Sequence, residues 1–72
     1  MEFVAFDTWA AVLEHVRSGA AVYYHPPLNF RPVVVKAFVR PGGKDLRVTP
    51  YDRDADPFTA DEKHLDRFRR RV

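Results

Sequence analysis

The stretch PVVVKAFVRPGGKDLRVTP, Pro32 to Pro50, decides the fold reading. Two runs of strand-forming residues flank Pro41-Gly42-Gly43-Lys44, a turn signal. A hairpin centred between Gly42 and Gly43 sets Arg40 opposite Asp45, Val39 opposite Leu46, Phe38 opposite Arg47 and Ala37 opposite Val48. That register has an internal test. It collects Val33, Val35, Ala37, Val39, Leu46 and Val48 on one apolar face. It collects Lys36, Phe38, Arg40, Arg47 and Thr49 on the other, with an ion pair and a cation–aromatic pair facing across the strands. Side chains alternate along a strand, so a slip of one residue would mix both faces.

Upstream, Ala20 to His25 reads as a further strand. Val22 and Tyr24 point one way, and Ala21, Tyr23 and His25 the other. Pro26-Pro27 ends it, because proline has no amide to give a ladder. The loop from Pro26 to Arg31 carries two apolar residues, Leu28 and Phe30. Together the three runs make an antiparallel meander.

Before the meander, Trp9, Val12, Leu13 and Val16 recur at helical spacing. Asp7 is the expected N-cap and Gly19 the left-handed stop. The four residues Phe3 to Phe6 leave open whether a short strand precedes the helix. After the meander, Tyr51 to Pro57 reads as a loop. Thr59 and Glu62 then have the spacing of a capping box, and Leu65, Phe68 and Val72 form a thin apolar stripe. Acids begin this segment and arginines end it, as the helix dipole favours.

The expected architecture is therefore α+β: an N-terminal helix, a three-stranded antiparallel meander and a C-terminal helix, in a single domain over residues 1–72. The C-terminal helix would pack on a sheet edge or cover the face that carries Phe38. A small SH3-like barrel is the alternative for the same order of elements.

Composition agrees with a small packed domain. Without cysteine, no disulfide or thiolate–metal site can support 72 residues, so the core has to be dense. A hydrophobic fraction of 46% makes that feasible. No apolar run is long enough to span a bilayer, and Met1 to Phe6 lacks the pattern of a signal peptide. A cytoplasmic chain without membrane contact is expected. The net charge is only +2, but it is unevenly spread. Arg31 to Arg47 holds five basic residues and one acid, whereas Asp52 to Asp66 holds six acids against Arg53 and Lys63.

Motifs for catalysis are missing. The single serine, Ser18, lies beside a helix-ending glycine, and His15, His25 and His64 fall on three different elements. There is no phosphate-binding glycine loop and no zinc-protease helix. Asp52, Asp54 and Asp56 alternate like the first ligands of a calcium loop, but Pro57 and Lys63 stand where glycine and glutamate are needed. The expectation is a non-enzymatic module with no metal and no cofactor.

What remains is the polar face of the hairpin. Lys36, Phe38, Arg40 and Arg47 interleave cation and aromatic, as surfaces that stack bases and neutralise phosphates do. The arginine-rich end, with Arg67 and Arg70 as candidate contacts, could add backbone grip. Nucleic acid is thus the favoured ligand class. The alternative is a protein-interaction or homodimer module using Leu28 and Phe30.

Overall fold

The structure, a computed structural model, describes residues 2–27, 31–51 and 55–72. In chain order these form strand β1 (Phe3–Ala5), helix α1 (Trp9–Arg17), strands β2 (Val22–Tyr24), β3 (Val33–Val39), β4 (Leu46–Pro50) and β5 (Phe58–Ala60), a 3-10 helix (Glu62–Arg67) and strand β6 (Phe68–Arg71). All six strands join one antiparallel sheet in the order β1-β6-β2-β3-β4-β5. The layout of two helices around a three-stranded meander is corrected by this finding. So is the barrel alternative: β1 and β5 are the two edges of the sheet.

The central hairpin follows the sequence. β3 and β4 pair Lys36 with Thr49, Ala37 with Val48, Phe38 with Arg47 and Val39 with Leu46. The Arg40 amide donates to the Asp45 carbonyl at 3.0 Å, and the Gly43 amide to the Arg40 carbonyl at 3.0 Å. Gly42 and Gly43 take φ of 104° and 71°, a region that side-chain-bearing residues avoid. β2 lies beside β3, with Val22 opposite Val35 and Tyr24 opposite Val33.

Helix α1 also follows its stripe, with one change at the cap. Thr8 is the N-cap, and its hydroxyl accepts from the Ala11 amide at 3.1 Å. Asp7, the expected cap, lies one residue too early. Gly19 has φ of 82° and its amide donates to the Val16 carbonyl, closing the C-terminus as expected.

The C-terminal third is the main correction. Thr59 belongs to β5, not to a helix cap. The cap is Asp61, whose carboxylate accepts from the Lys63 amide at 3.0 Å, while His64 Nδ1 accepts from the Asp61 amide at 3.2 Å. The turn it opens ends at Arg67, and the chain then extends as β6. The physical reason is the position that β6 fills. It lies between β1 and β2, pairing Ala5 with Arg69 on one side and Tyr23 with Arg69 on the other. A strand there satisfies backbone groups of two neighbours as well as its own. A surface helix with a thin apolar stripe would satisfy only itself.

β6 also supplies the centre of the core. Phe68 is fully buried, with its ring 5.5 Å from Trp9 and 5.3 Å from Tyr24, both edge-on. Around it lie Val12, Leu13, Val22, Val35, Leu46, Val48 and Ala60. The Trp9 indole Nε1 donates to the Lys44 carbonyl at 2.7 Å, tying α1 to the hairpin turn. One helix thus covers one sheet face, and no polar or charged residue is buried with it among the described residues.

Candidate nucleic-acid interface

The strand register determines which residues share the face turned away from α1. Directly paired residues lie on the same side of an antiparallel sheet. Thr59 pairs with Arg47, Arg47 with Phe38, Thr49 with Lys36, Val34 with Tyr23, Tyr23 with Arg69, and Arg71 with Phe3. These residues form one continuous outer face. The opposite parity holds the buried set: Val22, Val35, Leu46, Val48, Ala60 and Phe68.

Charge is sorted by element. The six strands contain Lys36, Arg47, Arg69, Arg70 and Arg71 and no acidic residue. Of these five, only Arg70 lies on the helix side, opposite Val4. The acids of the described residues sit in α1, the 3-10 helix and the connections, apart from Glu2, which precedes β1. Asp45 follows the hairpin turn, directly before β4. It pairs with Arg40 at 3.5 Å, an exposed contact that holds Arg40 at the hairpin end.

The aromatic groups on this face are accessible. Phe38 is 56% exposed, beside Arg47. Val34 is exposed, and Tyr51, just past β4, is exposed with Lys36 Nζ 5.9 Å above its ring centre. Farther along, Tyr23 and Phe3 meet edge-on at 5.0 Å and are both half-buried. A large apolar ring thus stands open to solvent beside cations.

The expected site residues divide accordingly. Lys36, Phe38, Arg40 and Arg47 come together as the hairpin register requires. Arg67 and Arg70 do not join them. Arg67 ends the 3-10 helix, where its carbonyl accepts from the His25 amide at 2.7 Å. Arg70 lies on the helix side of the sheet. A helix would group positions three apart, whereas a strand groups positions two apart, and β6 is a strand. Arg69 and Arg71 are therefore the arginines that reach the outer face. Leu28, Phe30, Asp52 and Asp54 lie outside the described residues.

Two histidines have ring nitrogens engaged with the backbone. His15 Nε2 is 2.8 Å from the Ala21 carbonyl oxygen, and His64 Nδ1 accepts from Asp61. The Ser18 hydroxyl donates to the His15 carbonyl at 2.6 Å. Among the described residues, no three His, Asp or Glu side chains gather as a metal site would need. Among the described residues, no helix is long and apolar enough to cross a membrane. The Asp61 carboxyl is held below its ordinary value of 3.8, first by the Lys63 amide it accepts from, which works against desolvation, and further by His64.

No protein-family model, curated protein or solved structure matches this chain.

Proposed function

We propose that this protein is a non-enzymatic module that binds nucleic acid through the outer face of its sheet. The supporting observation is Phe38: a 56% exposed ring beside Arg47 and near Lys36, on a sheet whose strands carry no acid. Bases stack on such a ring while the flanking cations meet phosphates. The reading needs no buried acid or base and no metal.

The test is a titration at low salt with short single- and double-stranded oligonucleotides, followed by amide chemical shifts. Shifts are expected at Phe38, Arg40 and Arg47, and the affinity should fall steeply as salt rises, because bound phosphates release counterions. F38A should weaken binding at least about fivefold, the lower end of a lost base–aromatic stack. Absence of shifts at these three residues would remove the proposal.

Exposed Val33, Val34, Phe38 and Tyr51 also suit a protein partner or a second copy of the chain. Light scattering tests the second of these: the mass of a monomer at every concentration rules out self-association.

A further inference from the structure

We infer that the outer face carries a second contact patch, formed by Phe3, Tyr23, Arg69 and Arg71, and that its ligand is a single strand lying across the sheet from this patch to Phe38. The inference rests on the Phe38 reading and extends it to residues at the other side of the fold.

The patch repeats the chemistry of the first. Tyr23 and Phe3 form an edge-on aromatic pair, 5.0 Å between ring centres. Arg69 is the strand partner of Tyr23, and Arg71 is the partner of Phe3. Arg71 is exposed. Arg69 Nη1 donates to the carbonyls of Asp66 and Phe68, which anchors the guanidinium at the start of β6 and leaves its remaining N–H groups to meet another acceptor. Each patch therefore pairs aromatic surface with cations.

The spacing determines the ligand. Tyr23 pairs with Val34, and Phe38 is four residues farther along the same strand. Strand geometry places the two platforms about 14 Å apart. That is too far for one base to touch both. An extended chain several nucleotides long can reach both, within the range of about 4 or more nucleotides that sheet-based single-strand sites occupy. Between the platforms lie Val34 and Lys36, the first exposed and apolar, the second a cation. A duplex keeps its bases stacked inward and cannot offer them to either ring. RNA and DNA single strands share the required chemistry.

The experiment measures fluorescence anisotropy at low salt with labelled thymidine and uridine oligomers, a dinucleotide and a hexamer of each, and a G·C-rich duplex long enough to stay paired under these conditions. The proteins are the wild type, F38A, Y23L and R71A, each checked for native amide dispersion. Y23L keeps apolar bulk against Phe3 and removes the flat ring. R71A alters an exposed side chain, so it remains informative should Y23L fail to fold. The hexamer is expected to bind at least about tenfold more tightly than the dinucleotide, and Y23L and R71A should each weaken the hexamer severalfold. F38A should weaken both lengths. If F38A weakens binding while both Y23L and R71A leave the hexamer unchanged, the second patch is wrong and the Phe38 reading stands. If no oligomer binds, both fall. A duplex bound as tightly as the single strand overturns the ligand assignment. The thymidine and uridine arms show which sugar the face prefers.

Discussion

Phe38 and Phe68 are both strand phenylalanines, and they have opposite surroundings. Phe68 is fully buried between Trp9 and Tyr24, on the face that α1 covers. Phe38 is 56% exposed, on the face that α1 leaves open. The sheet thus has one face that holds the fold together and one that contributes little to stability. Because nearly all the burial is on one side, the outer face can hold cations and exposed rings without weakening the core. The same division separates stability from binding, so substitutions on the two faces should behave differently.

The largest effect is expected at the covered face. F68A removes the central core ring and should cost about 3–5 kcal/mol in a denaturant titration. A chain of this length has only about 4–11 kcal/mol to lose, so the variant should lose a large share of its stability and unfold outright if the wild type lies at the low end of that range. A loss below about 1 kcal/mol would break the comparison, because Phe68 would then not be the centre of the core.

Thr8 tests what holds the covering layer in place. Its hydroxyl closes the first turn of α1 at 3.1 Å from the Ala11 amide. T8A should cost about 1 kcal/mol, with the loss read from the denaturation midpoint at unchanged slope. D7A should cost clearly less if Thr8 is the true cap.

At the open face, F38A should change stability by no more than about 0.5 kcal/mol. The same protein should lose the oligonucleotide affinity predicted above. A stability loss as large as that of F68A would show that something covers Phe38 in solution.

The smallest effect concerns Asp61, which caps the start of the 3-10 turn leading into β6. Its carboxyl is held below 3.8 in the folded chain, so the unfolded chain takes up the proton first as pH falls. Its contribution is complete above 3.8 and is lost as pH drops through the lowered folded value. D61N keeps a cap without the charge. Acid titrations of stability should show a slightly shallower decline below pH 3.8 for D61N than for the wild type.

Sequence and structure agree best where pairing is local. The β3–β4 register could be derived because one turn connects the strands and because only one register separates apolar from charged residues. The stripe Trp9, Val12 and Leu13 was legible for the same kind of reason. The C-terminal segment misled because its local signals are helical: an acid-rich start, arginines at the end and an apolar stripe at Leu65 and Phe68. Local preferences of this kind are weak and are outweighed by long-range pairing. The candidate site divides along the same line. Lys36, Phe38, Arg40 and Arg47 were legible from the hairpin, whereas Phe3, Arg69 and Arg71 were not, because their place depends on β1 and β6 meeting.

By itself, then, the amino-acid sequence determined the hairpin, its two faces and the stripe of the first helix, all from contacts between residues near one another in the chain. Only the tertiary structure decided that Phe68–Arg71 is a strand between Phe3–Ala5 and Val22–Tyr24. That decision needs partners more than forty residues away. No local pattern records the backbone hydrogen bonds and buried ring that those partners supply.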